Sequence, residues 1–313
     1  MALRDQPLLS EVFDPLSDFR PIAGSAYVFG SLPEDRSEHV QAWRSLASGV
    51  EYWTIQTQEE NRIIGEKSTG EQFSVSLRST RELKNLWHAY VGRDAYLDIT
   101  GLEHQVWAPL LKAALESKVR LAVVYVEPAG YAFSRTPTEG QIFDLSVEIR
   151  GIAPLPGFAT LTESVQTEDL FIPLLGFEGT RLSHVIEHVQ PAADRIIPVV
   201  GVPGFRPEYP FHAYIGNKNP MLETEAWQSI RFALANCPFS LFYELESISK
   251  ERPRGVLRIA PIGTKPHGLG AILFKLASQR GVELIYDHPV RRAKRTSGVD
   301  RLFVYHVSGL FGA

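Results

Sequence analysis

One cysteine, Cys237, and two methionines are all the sulfur in 313 residues. An intrachain disulfide and a cysteine-built zinc site are both excluded. No apolar run reaches the roughly 20 residues that cross a bilayer, and the opening Met1-Ala-Leu-Arg-Asp-Gln-Pro lacks the apolar core of a secretion signal. The expectation is a cytoplasmic protein with no membrane partner. Charge of one sign is also missing: 32 Lys and Arg stand against 36 Asp and Glu, a formal net charge of −4. Such a chain has no general field for nucleic-acid backbones, which argues against duplex DNA, and any polyanion site must be a local cluster. The motifs G-x-G-x-x-G, G-x-x-x-x-G-K-[ST] and G-x-S-x-G are absent. The usual dinucleotide, ATP and serine-hydrolase fingerprints are therefore lacking, and no cofactor is expected.

What is present is ordinary globular composition, 44% hydrophobic and 22% charged, enough for one large or two medium domains. The most informative stretch runs from Arg258-Ile-Ala-Pro-Ile-Gly-Thr-Lys-Pro-His-Gly-Leu-Gly to Val282-Glu-Leu-Ile-Tyr286. It reads as strand, glycine-bearing loop, helix and strand. Gly263 permits a sharp turn off the strand end, and the amides that follow, with Lys265, suit an anionic ligand. Leu269, Ile272, Leu273 and Leu276 fall at i, i+3, i+4 and i+7, which predicts a helix starting near Pro266 and His267 and leaves Lys275 and Gln279 for solvent.

The same pattern occurs earlier. A constant shift of 163 positions lays residues 99–121 over 262–284 without a gap, and eight of the 23 pairs are identical, among them Ile99 with Ile262, His104 with His267 and Val119 with Val282. The surroundings match in order: an apolar strand, Ala26 to Gly30 or Leu170 to Gly176, leads to a polar loop carrying Glu34 and Arg36 or Glu178 and Arg181. A helix follows, then a strand, Tyr52 to Ile55 or Ile196 to Gly201. A second helix is expected before the loop strand, on Leu83, Leu86, Trp87 and Tyr90 in one copy and Trp227, Ile230 and Leu234 in the other; Ser79 and Glu82 suit a capping box for the former. Alternating strands and helices imply a parallel sheet covered on both faces, with ligands bound past the carboxyl ends of the strands. The fold class expected is α/β: two tandem Rossmann-like parallel-sheet domains related by an internal repeat, at 1–165 (ending in an irregular linker) and 166–313. Asp144 to Ile149 reads as an added strand. Where the second loop has Lys265 the first has Leu102, so the cationic site is expected in the second domain only.

The run strand, Gly263-Thr264-Lys265-Pro266, small-residue helix, strand is similar to the loop of CARF domains, Rossmann-like sensors of cyclic oligoadenylates in prokaryotic antiviral systems. Two such units in one chain resemble the SAVED arrangement. The resemblance covers mainly residues 170–313 and implies a nucleotide-like ligand, with Gly263, Thr264, Lys265 and His267 as contacts together with the loop Gly176-Phe-Glu178-Gly-Thr180-Arg181. It departs in lacking a recognisable fused effector, so a separate protein partner or a homodimer is implied.

Other groups carry competing readings. Arg206, in Gly201-Val-Pro-Gly-Phe-Arg206, and Arg181 suit a bidentate phosphate clamp or a surface ion pair. Tyr209, Phe211 and Tyr214 read as a Pro-rich loop able to stack on a base, or simply as a packed loop. His184-Val-Ile-Glu187-His188 spells a zinc-protease pattern, but the stripe Leu182, Val185, Ile186 and Val189 turns the histidines to solvent. His288, Arg291, Arg292, Lys294 and Arg295 form a basic run, most simply an exposed charged tip. Trp43, Trp53, Trp87, Trp107 and Trp227 read as core rather than as base-stacking platforms. Two further functions stay open: a nucleotide or NAD hydrolase using Glu178 or Glu34, and a scaffold subunit with a degenerate pocket.

Overall fold

A computed structural model describes residues 9–30, 32, 34–59, 61–138, 141–160 and 167–312. The chain is a mixed α/β protein that divides into two compact units, Met1–Gly130 with Thr296–Ala313, and Tyr131–Arg295. The sequence suggested a division at 165/166, a boundary that itself lies outside the described residues at 161–166. The contacts divide elsewhere because the C-terminal segment returns to the first unit and the segment after Tyr131 pairs within the second.

The first unit contributes β1 (Ser10–Phe13), β2 (Ala26–Gly30), β3 (Glu51–Gln58), β4 (Arg62–Lys67), β5 (Gln72–Ser76), helix α1 (Thr80–Trp87), β6 (Asp94–Asp98), helix α2 (His104–Glu116) and β7 (Arg120–Val126). The second unit contributes β8 (Phe133–Thr138), β9 (Gln141–Phe143), β10 (Ser146–Ile149), β11 (Leu170–Pro173), α3 (Gly179–Val189), β12 (Val199–Gly201), α4 (Tyr209–Glu223), β13 (Arg231–Ala233), α5 (Pro238–Glu251), β14 (Leu257–Ala260), α6 (Lys265–Ala277), β15 (Val282–Leu284) and β16 (Pro289–Arg291). The chain then re-enters the first unit as β17 (Leu302–Tyr305).

In the first unit, eight described strands form one mixed sheet in the order β1-β17-β7-β6-β2-β3-β4-β5. Its centre, β7-β6-β2-β3, is parallel; β4, β5, β17 and β1 are antiparallel additions. The expected helix after β2 is realised as short 3-10 turns over Asp35–Ala42 and Arg44–Leu46. Trp43 from this segment packs edge-on to Phe19 and Tyr27, at ring-centroid distances of 5.1 and 4.9 Å. Trp43, Trp53, Trp87 and Trp107 are buried, as their apolar settings predict. The capping box at α1 forms by half: Ser79 Oγ accepts from the Glu82 amide, but the Glu82 carboxylate accepts from the Ser76 amide instead.

In the second unit β11, β14 and β15 form a parallel sheet, and β12 pairs in parallel with β13. Parallel bridges from Phe171 to Ile196 and from Leu174 to Val199 join the two. The resulting order, β13-β12-β11-β14-β15, is 3-2-1-4-5 in chain order, so the connections reverse direction between β11 and β14. This corrects the sequence reading twice. Tyr209, Phe211 and Tyr214 lie in α4, not in a loop. Ile230 and Leu234 flank strand β13 rather than a helix, and Trp227, expected in the core, sits in a 3-10 turn and is 53% exposed. The sequence missed α5, whose presence explains why α6 is buried almost all round: a Cβ on Gly270 would stand 2.5 Å from the Pro238 carbonyl, so only glycine lets the two helices meet. Lys275 is consequently half-buried, with its ammonium on the Val282 carbonyl rather than in solvent. The α3 stripe Leu182, Val185 and Val189 is buried as expected, and the added strand appears as β10 against β16. No helix among the described residues is long and apolar enough to cross a membrane.

Strand β17 sits between β1 and β7, and Leu302, Phe303, Val304 and Tyr305 are all buried. Burying such side chains contributes about 1.5–3 kcal/mol each, together comparable to a whole domain's stability of about 5–15 kcal/mol. A chain ended at Arg295 is therefore expected to lose the first unit. Hydrogen exchange checks this: the amides of β2, β6 and β7 should lose protection, and retained protection would overturn it.

Candidate functional site

In a 3-2-1-4-5 parallel sheet the chain connections diverge at the switch point, and a crevice opens past the carboxyl ends of the two strands there. In the second unit those strands are β11 and β14. The loops that leave them, 174–178 and 261–264, contain Gly176, Glu178 and Gly263, and Thr264 closes the second by capping α6.

The two loops touch backbone to backbone. A Cβ on Gly263 would lie 2.6 Å from the Leu175 carbonyl and 2.9 Å from that of Leu174; one on Gly176 would lie 2.7 Å from the Ile262 carbonyl. Side chains are thus excluded from both positions by the opposite loop. Arg181, from the first turn of α3, crosses this seam. Its Nε and Nη2 donate to the Asp287 carboxylate at 2.7 and 2.6 Å, and Nη1 donates to the Ile262 carbonyl at 2.9 Å. Burial works against the charge of this guanidinium, but Asp287 outweighs it and raises the pKa further. Arg181 is therefore engaged in a buried ion pair rather than open as half of a phosphate clamp.

The α6 N-terminus is closely tied. Thr264 Oγ1 accepts from the His267 amide at 3.2 Å and donates to the Ala235 carbonyl at 2.9 Å, joining the helix start to the end of β13. Lys265 and Pro266 open the helix, and Lys265 is buried. His267 is fully buried with Nε2 on the Leu234 carbonyl at 3.1 Å, and burial pushes its pKa down to about 4. It is neutral at physiological pH, so Nε2 donates and Nδ1 is left as a buried acceptor that has no hydrogen-bond partner among the described residues. This arrangement also corrects the idea of an open amide cradle: Pro266 has no N–H and the His267 amide is taken by Thr264.

The other expected residues lie around this seam. Thr180 is exposed on the first turn of α3, and Arg206 is about half exposed on the loop after β12, 4.0 Å from Glu208. Glu178 accepts from the amides of Leu145 and Ser146 at 2.9 and 2.8 Å and from Ser146 Oγ at 2.8 Å. Its carboxylate anchors the start of β10, which leaves little capacity for acid or base work. Asn217, just after the segment read as a Pro-rich loop, has no role assigned from the sequence. On α4 it is buried and donates to the Gly176 carbonyl at 2.7 Å and to the Ala213 carbonyl at 2.8 Å, supporting the switch loop from behind. No group of three His, Cys, Asp or Glu residues able to hold a metal occurs among the described residues, so the His184, Glu187 and His188 pattern assembles no centre.

The first unit has its own switch point, between β2 and β6. There a Cβ on Gly30 would stand 2.5 Å from Leu102 Cδ2 and 2.9 Å from the Gly101 carbonyl. Leu102, which takes the place of Lys265, is wholly buried. Gln58 clamps this loop by donating to the Gly101 carbonyl and accepting from the Glu103 amide, both at 2.9 Å. Beneath it lies a buried polar cluster that the sequence did not reveal. Asp98 accepts from Tyr27 at 3.0 Å and from the Thr100 amide at 2.9 Å, and pairs with His39 Nε2 at 3.0 Å. Glu34 is likewise engaged, by Arg36 at 2.8 Å and by Thr296 at 3.1 Å. Burial alone would raise the Asp98 pKa, but His39 and the Thr100 hydrogen bonds hold it below the ordinary carboxylate value.

Two outcomes follow. A carboxylate whose pKa is depressed on folding stabilises above its unfolded pKa of about 3.9, and that stabilisation is lost as pH falls below it. Asp98→Asn should cost the first unit about 3–5 kcal/mol at neutral pH and flatten its acid unfolding below pH about 4, measured by hydrogen exchange or denaturant titration. Gly263→Ala should destabilise the second unit by about 1–3 kcal/mol without any ligand present, because the added methyl meets a carbonyl; an unchanged melting temperature would show that the loops give way freely. No protein-family model matches the chain, and no curated protein is significantly similar to it.

Proposed function

We propose that the second unit is a sensor or adaptor for a nucleotide-derived anion, with a cyclic oligonucleotide as the ligand class and a prokaryotic antiviral system as the setting. The observation that carries this reading is the position of Gly263 to His267: the loop opens helix α6 at the reversal point of a 3-2-1-4-5 parallel sheet. Ligands of α/β sheets bind there, and a helix N-terminus favours negative charge. Lys265 supplies the cation, Thr264 and Gly263 the loop surface, and His267 Nδ1 an acceptor for a ligand N–H or O–H. Thr180 and Arg206, both exposed, complete the rim, while Arg181, with Asp287, holds the seam beneath. The loop–helix–strand pieces 99–121 and 262–284 each follow a switch-point strand and end in that strand's parallel neighbour, which supports an origin of the two units by duplication. In this reading the protein is cytoplasmic and passes ligand occupancy to a separate effector or to a second copy of itself.

One observation favours a second reading, a scaffold subunit with a degenerate pocket. The switch loops pack directly on each other and Lys265 is buried, so the crevice is largely filled by the protein itself. The hydrolase reading is the weakest, since Glu178 and Glu34 are both held in structural hydrogen bonds.

Native mass spectrometry with cyclic oligonucleotides and common nucleotides separates the three. The sensor reading expects a specific adduct that Lys265→Met, which keeps the side-chain volume, weakens at least tenfold with the melting temperature unchanged. Equal affinity in that variant sinks it. Binding of no small molecule, with co-purifying neighbours, supports the scaffold; turnover that fails in Glu178→Gln supports the hydrolase.

A further inference from the structure

A column of aromatic rings rises from the second unit's switch loop and ends at the surface. Phe177, between Gly176 and Glu178, stacks on Phe143 with ring centroids 4.6 Å apart and planes at 24°; Phe143 stacks on Phe133 at 5.0 Å and 21°. His212 stands edge-on to all three, at 79–84°, and fixes the column from the side. These are the offset-stacked and edge-to-face geometries that aromatic rings prefer. Phe143 is buried, whereas Phe133, the last ring, remains 64% exposed. Its inner face is covered by Phe143, so the column leaves an aromatic π-face at the surface.

The surroundings of that face are cationic. Arg135, exposed, lies two residues along β8 from Phe133, about 7 Å away along the chain. The basic run Arg291 to Arg295 lies across the foot of the β8–β9 hairpin. Arg291 pairs with Ser146, the Arg292 amide donates to the Leu145 carbonyl, and the Ala132 amide donates to the Arg295 carbonyl. The Arg292 side chain is neutralised by Asp144 at 2.7 Å, but Arg135 and Lys294 are exposed and make no ion pair among the described residues.

We propose that this face binds single-stranded nucleic acid, with a base stacked on Phe133 and the backbone phosphates on Arg135 and Lys294. An exposed ring face beside cations is the combination by which proteins hold unpaired strands without reading their sequence, because every base has a π-face and every linkage a charge. A duplex offers no unstacked base to Phe133, and the net charge of −4 gives it no compensating field. The proposal does not rest on the switch-point reading, which invokes Lys265 and a different ligand.

Fluorescence anisotropy of the full chain tests it, with a labelled oligothymidylate of about a dozen nucleotides at about 50 mM salt. The expected result is binding that Phe133→Ala weakens roughly tenfold or more and Phe133→Trp preserves. Arg135→Ala should weaken binding and reduce the salt slope by about one. Because Phe133 is exposed, the alanine variant should melt as the parent does. No binding of the oligonucleotide, equal binding by Phe133→Ala, or tighter binding of a blunt duplex would each overturn the proposal. So would a nuclease-resistant protein complex that depends on Phe133, which would make a protein the occupant. Loss of cyclic-nucleotide binding in Lys265→Met leaves every one of these outcomes readable.

Discussion

The second unit is organised around a contact between two stretches of backbone. Past the ends of β11 and β14 the loops meet so closely that Gly263 faces the Leu174 and Leu175 carbonyls and Gly176 faces that of Ile262, at distances only a hydrogen atom can occupy. That approach brings the Ile262 carbonyl within reach of Arg181, whose charge Asp287 neutralises in turn. Asn217 holds the Gly176 carbonyl from the other side, and the Thr264 cap fixes where α6 begins. A buried arginine without its carboxylate would be costly, so the ion pair and the loop contact stand or fall together.

The first unit solves the same geometric problem with different chemistry. Gly30 again admits the opposite loop, but the group that fills the space is the Leu102 side chain, and Gln58 supplies the hydrogen bonds that align Gly101 and Glu103. Below it the charged groups are satisfied internally, Asp98 by His39, Tyr27 and Thr100, and Glu34 by Arg36 and Thr296. A leucine in place of a lysine turns a polar helix start into packed core.

Arg181, Glu178 and Glu34 illustrate how polar residues in a loop mislead when read one at a time. Each stands in the right sequence context for ligand contact, and each turns out to be engaged within the protein: Arg181 by Asp287, Glu178 by the start of β10, and Glu34 by Arg36 and Thr296. Thr264 and Lys265 behave differently, since their position at the start of α6 follows from the local signals of capping residue, proline and apolar period.

The chain's local patterns therefore determined a good deal: the α/β class, helix α6, the α3 stripe, the buried character of four of the five tryptophans, and the glycine-bearing loops at strand ends. These depend on neighbours a few residues away, where period and propensity act. Tertiary structure decided the rest. It converted the expected helix around Ile230 into strand β13, drew Tyr209 into α4, returned residues 302–305 to the first unit as β17, and stacked Phe133 on Phe143 and Phe177. It also chose the partner of every buried charge. The reason is that pairings such as β17 with β7, Arg181 with Asp287 and Glu34 with Thr296 join residues from 106 to 262 positions apart, and nothing in a short window of sequence records which of many possible partners will satisfy a buried polar group.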